Sequence, residues 1–521
     1  MLDVGLDWED CSAVELRLAD PLIGLSAIGD VGRGREPGQA ARTCFIACRM
    51  AHAIGAGDDV VRETFYAALL QHVGCVAHAH DQAALDGGRN IEVNAAADET
   101  DFSRPTEVLN RFLIEVSPDA GLMRRVGLML PARRMGQVLN RTSCEVGESL
   151  ARRIGLPERV QVVVRHLSEW HNGNGGFLGA KGEEIPLAAR LVPAAFTASL
   201  FDVLAGPEAA VQALRARAGR IFDPAVVETF ASQGPGIMAQ LETVDLLRCL
   251  PDEEPAPALR VGAGQLDEMA VAFGEAVDLK TPFTHGSARR AFELTAAAAS
   301  GQGLEDAVVG CARRAAALRD IGKAAIPNAT LEKPAPLSEL EWEAVRLHGY
   351  HAERVLSRSP SLGAEARLAG MHHERPDGSG YHRGASGSSL PMAARIIAVA
   401  DALVAMTQPR PYRGALSLDQ ACEELVHAAP HGTFDSNAVS AVVAAAHGAG
   451  GRIRLTAPAG LTDRQVEVLR LLAEGLSNRE IAERLDVTRR TAEHHVQDVY
   501  LKIGTSSRAA AALFAVEHEL L

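Results

Sequence analysis

The sequence predicts a mainly α-helical protein: two tandem helical bundles followed by a small four-helix domain. Three observations carry this expectation. Aromatic residues are few (14 Phe, 5 Tyr and 3 Trp in 521 residues) while Ala is abundant, which favours helices over strands. Apolar residues recur at helical spacing, as in Phe65, Leu69 and Leu70, in Val308, Ala312 and Ala316, and in Ile396, Val399, Ala400 and Leu403. No run alternates as a strand does. Finally, several short motifs occur twice, in the same order.

The repetition is specific. Glu184-Ile-Pro-Leu-Ala-Ala-Arg190 aligns with Ser389-Leu-Pro-Met-Ala-Ala-Arg395, an offset of 205 that sets Glu169 under Glu374 and Gly173 and Gly175 under Gly378 and Gly380. Upstream, Leu70-Gln-His-Val-Gly74 aligns with Leu318-Arg-Asp-Ile-Gly322 at an offset of 248, and downstream Phe222-Asp223 matches Phe434-Asp435. The first copy therefore carries about 43 extra residues, placed between about 77 and 140. A period this long describes tandem domains rather than a solenoid. The Pro-rich acidic stretch Pro251–Pro257 and the Gly-rich stretch after His447 read as linkers. The expected domains are 1–250, 260–447 and 461–521, with 448–460 as a linker.

Acidic residues exceed basic ones by 66 to 52, for a net charge of −14, so any nucleic-acid binding must be local. No 18-residue apolar run marks a membrane span, and Asp3, Asp7, Glu9 and Asp10 stand where a secretory signal needs positive charge. A cytoplasmic protein without a membrane partner is expected. The 8 cysteines form no CxxC pair and read as reduced thiols. Cys44 and Cys48 are either a redox or metal pair or two core positions on one helix face.

In the middle segment, residues able to hold a metal fall at His285, Asp320, His348, His372, His373 and Asp401, with Lys323 three residues after Asp320. Asp401 sits inside an apolar helical stretch, where a carboxylate must be paired or ligated. Imidazole plus carboxylate suits Fe, Mn or Zn. Leu318-Arg-Asp-Ile-Gly-Lys323, His372-His-Glu374, Asp377-Gly-Ser-Gly-Tyr381 and Arg410-Pro-Tyr-Arg413 resemble the HD-GYP domain over about 280–442. HD-GYP proteins are the cyclic-dinucleotide phosphodiesterase branch of the HD-domain phosphohydrolases. The resemblance implies an HD-type bundle with a two- or three-metal site on His285, Asp320, His348, His372, His373 and Asp401. Asp320 and Lys323 would be catalytic, and Lys323, Gly380, Tyr381, Arg410 and Arg413 would meet the ligand. Two positions depart from the pattern: Arg319 replaces the His of the His-Asp doublet, and His382 follows Gly380-Tyr381 where the family has Pro. The permanently cationic Arg319 can stand where one metal's charge would be. One or two ions are expected, or a phosphate site without cleavage.

In the first copy Gln39, Gln71-His72, Leu167-Ser168 and Phe196 occupy the ligand positions. That copy reads as a degenerate HD-like domain.

In the last segment Thr462, Ser477 and Thr488 are placed as helix N-caps, Glu480 completes a capping box, and Gly475 and Gly504 end helices. Two short helices around a tight turn at Asp486-Val487 make a helix-turn-helix. Leu461-Thr-Asp-Arg-Gln465, Glu474-Gly-Leu-Ser-Asn-Arg-Glu-Ile-Ala482, Thr491-Ala-Glu-His-His-Val496 and Lys502–Arg508 resemble the LuxR-type DNA-binding domain over 461–518. The resemblance implies dimers on double-stranded promoter DNA. Thr488, Arg489, Arg490, Thr491, Glu493, His494, Gln497 and Lys502 would form the DNA face. Glu493, His494 and Gln497 would meet bases, while Arg489, Arg490 and Lys502 would meet phosphates. Between 476 and 508 six basic residues face five acidic ones, so affinity should lean on a homodimer.

Three functions fit these readings. The first is a transcription regulator whose HD-type domains sense a phosphorylated ligand such as a cyclic dinucleotide. The second is a metal-dependent phosphodiesterase with a DNA-binding tail. The third uses both HD copies only to dimerise.

Overall fold

The computed structural model describes residues 15–448 and 458–521, so most of the expected 448–460 linker lies outside the described residues. Helices dominate; the described strands, Glu15–Arg17 and Arg260–Gly262, form one two-stranded pairing. This bears out the mainly α expectation and adds one short ladder to it. The chain divides into two compact units, one of Leu16–Val261 with Pro327–Ala329, the other of Gly262–Ile326 with Thr330–Leu521.

In the first unit, helices Ala19–Gly32, Gln39–Ile54, Asp58–Leu70 and Leu187–Ala205 build the core. Leu187–Ala205 is long and apolar enough to cross a membrane, yet Leu191, Val192, Ala194, Ala195 and Phe196 are buried inside the unit. Cys44 and Cys48 are wholly buried on one helix, as core positions. Among the described residues Cys44, Cys48, Cys75, Cys144, Cys249 and Cys422 are free thiols.

The Pro251–Pro257 stretch is not a solvated linker. Arg17 Nε lies 2.7 Å from Glu254, Leu259 N–H donates to Glu254 at 2.8 Å, Tyr66 donates its hydroxyl to the same carboxylate, and Arg49 pairs with Glu253 at 2.6 Å. These donors turn an acidic stretch into a buried clasp, because a desolvated carboxylate is tolerated only when paired.

In the second unit, Ala291, Ala298, Ala312, Ala315, Ala316, Leu368, Ile396, Ile397, Val399 and Leu403 are buried where helices Ser287–Gly301, Asp306–Leu318, Gly363–Gly370 and Met392–Met406 meet. The small Ala side chains let these helices approach closely.

The duplication recurs as matched interactions. Asp30 accepts from Ala40 N at 3.0 Å, and Asp278 accepts from Ala288 N at 2.7 Å. Arg190 pairs with Asp223 at 2.7 Å, and Arg395 with Asp435 at 2.8 Å. A Cβ on Gly74 would strike the Ser143 carbonyl, and one on Gly322 would strike the His348 carbonyl. Ser143 is therefore the first unit's counterpart of His348. The extra residues between these points include helices Ala79–Asp86 and Asn90–Glu99 and the first turns of Leu122–Arg153.

The last segment folds as helices Asp463–Ala473, Asn478–Arg484, Arg489–Ile503 and Arg508–Glu517. Thr462, Ser477, Thr488 and Ser507 accept at the four N-termini. Gly504 ends the third helix in the left-handed conformation at φ 71°.

Candidate functional site

Asp320 follows the C-terminus of helix Asp306–Leu318, where the chain tightens into the turn Ile321–Ala325. Gly322 makes this possible: only a residue without Cβ can lie against the His348 carbonyl. The contact brings Asp320 Oδ1 to 3.4 Å from His348 Nε2 and 3.7 Å from His372 Nε2. His348, His372 and His373 hold their nearest ring nitrogens within 4.8 Å of one another.

The imidazoles are oriented from behind. The Nδ1 atoms of His348 and His372 lie at hydrogen-bond distance from the carbonyls of Val345 and Ala369. Those carbonyls select the tautomer in which Nδ1 donates and Nε2 is bare. The two Nε2 atoms then face each other at 2.9 Å. Burial pushes His372 down to about 3, assisted by His348, and pushes His373 well down, assisted by both neighbouring imidazoles. Imidazole nitrogens converging beside a carboxylate suit a divalent Fe, Mn or Zn ion. Asp320, His348, His372 and His373 would hold it. Burial opposes ionisation of Asp320, but Lys323 at 2.8 Å and Arg319 at 3.3 Å outweigh it and hold the carboxyl well below its usual range.

The other corner is occupied differently. Arg319, 1% exposed, sends Nε to Asp401 at 2.6 Å, Nη2 to Ser287 Oγ at 2.8 Å and Nη1 to the Ala316 carbonyl at 2.7 Å. Burial disfavours the cation, yet Asp320 and Asp401 together hold it firmly charged. Asp401, in turn, stays below its usual range because Arg319 outweighs its burial. Asp401 is thus paired with a guanidinium in this structure, and the His285 backbone carbonyl accepts from Gln408.

The ligand-facing residues divide. Tyr381 stacks on His373 with centroids 4.6 Å apart at 26°, and Gly380 packs against the backbone of His373 and Glu374. Glu374, buried, accepts from Arg383 N at 2.7 Å and Ala385 N at 2.8 Å, which fixes the loop carrying both. Arg410 donates to the Phe283 carbonyl at 2.6 Å and lies near enough to Asp320 and Asp401 to feel both charges. The Arg413 guanidinium donates to the carbonyls of Ala405, Met406, Gln408 and Gly414 and caps the helix Met392–Met406. Ser287 was not foreseen as an Arg319 partner, although it stands two residues after His285.

In the first unit, His72 meets the Phe196 ring edge-on at 4.4 Å, and Gln71 lies 3.1 Å from its Nε2. Burial, helped by Arg33 and Arg35, pushes His72 well below its ordinary value. The surroundings that converge on metal in one unit are apolar or amide here.

On the recognition helix Arg490, Thr491, His494 and Gln497 are exposed. Arg489 pairs with Glu493 at 2.8 Å, and Thr488 is used as the N-cap of Arg489–Ile503. Lys502 donates to Gly460 O at 2.7 Å and Gln465 at 2.8 Å, bracing the start of the domain.

Comparison with known proteins accords with this organisation. The HD domain family matches residues 272–438, and the family of bacterial regulatory proteins of the luxR type matches 459–515. The 3'3'-cGAMP-specific phosphodiesterase 3 of Vibrio cholerae is 32% identical over 430 residues, 79% of this chain and 92% of that protein. The cyclic di-GMP phosphodiesterase of Thermotoga maritima is 40% identical over 144 residues, 27% of this chain and 39% of that one. A crystal structure of a cyclic GMP-AMP specific phosphodiesterase from V. cholerae superposes with a TM-score of 0.57 at 27% identity, covering 83% of this chain and 98% of that one. This chain belongs to the HD-GYP-type phosphodiesterase family, with a degenerate first HD-type copy and a LuxR-type helix-turn-helix domain at its C-terminal end.

Proposed function

We propose that this protein is a cytoplasmic DNA-binding transcription regulator that reads a cyclic dinucleotide through its second HD-type domain. The first copy serves as a scaffold, and a homodimer presents two helix-turn-helix domains to promoter DNA. The observation that carries the proposal is the Arg319–Asp401 ion pair beside the His348, His372 and His373 cluster and the neighbouring Asp320, in a chain that also carries a LuxR-type domain. Asp320, His348, His372 and His373 would hold a divalent ion, which would supply Lewis-acid chemistry toward the phosphates. Lys323 and Arg410 add cationic charge for the phosphates, and Tyr381 offers a ring at the rim. Arg319 fills the corner where a second ion would sit, so both charge stabilisation and nucleophile formation are weakened.

The second reading, a metal-dependent phosphodiesterase with a DNA-binding tail, is favoured by the family to which the chain belongs. One experiment separates the two. The purified full-length chain is loaded with Mn²⁺ and given 3'3'-cGAMP or cyclic di-GMP. Binding is measured by calorimetry, cleavage by chromatography, and promoter-fragment binding with and without dinucleotide by anisotropy. The regulator reading expects tight binding, slow or absent cleavage and a ligand-dependent change in DNA affinity. Fast turnover abolished by Asp320→Ala, with DNA affinity indifferent to ligand, establishes the enzyme instead.

A further inference from the structure

Beside the metal-competent cluster, helices Glu339–Arg346 and His348–Leu356 run almost without a break. Trp342, Arg346 and Tyr350 recur there at four-residue intervals, so they share one face. That face is open: Trp342 is 45% and Tyr350 43% exposed. The Arg346 guanidinium lies over the Trp342 ring, 5.9 Å from its centroid. Its ion pair with Glu343, at 2.7 Å, joins two half-exposed side chains and is readily exchanged for another partner. Tyr350 meets His382 edge-on at 5.9 Å, and His382 adjoins Tyr381, which stacks on His373. Arg346 is near enough to Tyr381 to bear on its phenol. The stripe therefore leads from open surface directly to the imidazole cluster. Exposed Trp and Tyr rings cost solvation free energy on a surface, and none of the roles above uses them.

We propose that Trp342, Arg346 and Tyr350 form a nucleobase subsite that stacks a guanine of the cyclic dinucleotide while its phosphates sit at the cluster. Aromatic faces accept any base, and a planar guanidinium selects guanine by donating two N–H groups to its O6 and N7. The second ring, Tyr350, closes the side nearest Tyr381. This assignment rests on the cyclic-dinucleotide reading proposed above.

The test uses the full-length Mn²⁺-loaded chain and three probes: 3'3'-cGAMP, cyclic di-GMP and cyclic di-AMP, with dissociation constants from calorimetry. The wild type is expected to bind both guanine-bearing probes more tightly than cyclic di-AMP. Trp342→Ala should weaken them by about 5- to 100-fold, the span that removal of a stacking ring produces. Trp342→Phe should recover most of that loss. Arg346→Ala should erase the preference for guanine, and Arg346→Lys, which keeps charge but not the planar fork, should not restore it. Bound manganese and the thermal midpoint should stay at wild-type values, since all three side chains are exposed. The chain has 3 Trp residues, so ligand should quench its intrinsic fluorescence in the wild type and much less in Trp342→Phe. Variants that bind as the wild type does, or a wild type that binds cyclic di-AMP equally well, overturn the subsite and leave the regulator reading standing. A wild type that binds none of the three probes overturns both.

Discussion

Replacing Arg319 by His tests the chemistry of the second HD-type domain most directly. The substitution removes the 2.6 Å pair with Asp401, the 3.3 Å contact with Asp320 and the hydrogen bond to Ser287. The two side chains of the main pair are 1% and 9% exposed, so solvent cannot replace the lost partner. Breaking a buried pair in this way costs about 3–5 kcal/mol. For a domain of this size that corresponds to a midpoint lowered by roughly 6–20 °C. The new imidazole also completes a second donor set with Asp401, so metal should offset the loss. An ion at a hundred times its dissociation constant returns about 2.7 kcal/mol. The assay is thermal unfolding of Arg319→His and wild type, each in chelator and in Mn²⁺, with metal content by mass spectrometry. The variant should be much less stable than wild type in chelator, gain more from Mn²⁺, and rise from one bound ion to two. Arg319→Lys, which retains a cation, should stay nearer wild type in chelator and gain no ion. An Arg319→His protein as stable as wild type in chelator, or one still holding a single ion, refutes the reasoning.

Other perturbations have separate readouts. Gly322→Ala would drive a Cβ into the His348 carbonyl; a cost of about 1–3 kcal/mol and reduced bound Mn²⁺ are expected by unfolding and metal analysis. Acidification should destabilise the first unit through His72. Because folding lowers that imidazole's pKa, its contribution is complete above about 6.5 and is lost progressively as pH falls towards the depressed folded value. The slope is at most about 1.4 kcal/mol per pH unit, and unfolding curves of His72→Phe should lack it. On promoter DNA, His494→Ala should narrow the gap between specific and random sequences. Arg490→Ala should weaken both alike and reduce the salt slope by about 1, as fluorescence titrations would report.

Much of the architecture was legible beforehand. The caps of the last domain could be placed because an N-cap is a local event: Thr462, Ser477 and Thr488 each bond an N–H within three residues. The tandem repeat was legible because Arg190 and Asp223 recur as Arg395 and Asp435 inside the repeated words, but that each Arg pairs with its Asp was shown only by the structure. The Pro251–Pro257 clasp was not legible, since the donors that bury Glu253 and Glu254 come from Arg17, Arg49 and Tyr66, far away in the chain. The helix-capping bonds of Arg413 were not legible for a related reason: a motif identifies a residue, but only the path of the preceding helix decides which carbonyls its donors meet.

By itself the sequence determined the helical class, the tandem repeat, the identity of every cluster residue and the grammar of the helix-turn-helix. Each of these depends on spacing along the chain or on an intrinsic property of a side chain. Tertiary structure decided that Arg319 pairs with both Asp320 and Asp401. That outcome turns on where a guanidinium lies relative to two carboxylates from different helices, and Coulomb energy in a dry interior depends on that separation rather than on distance along the chain.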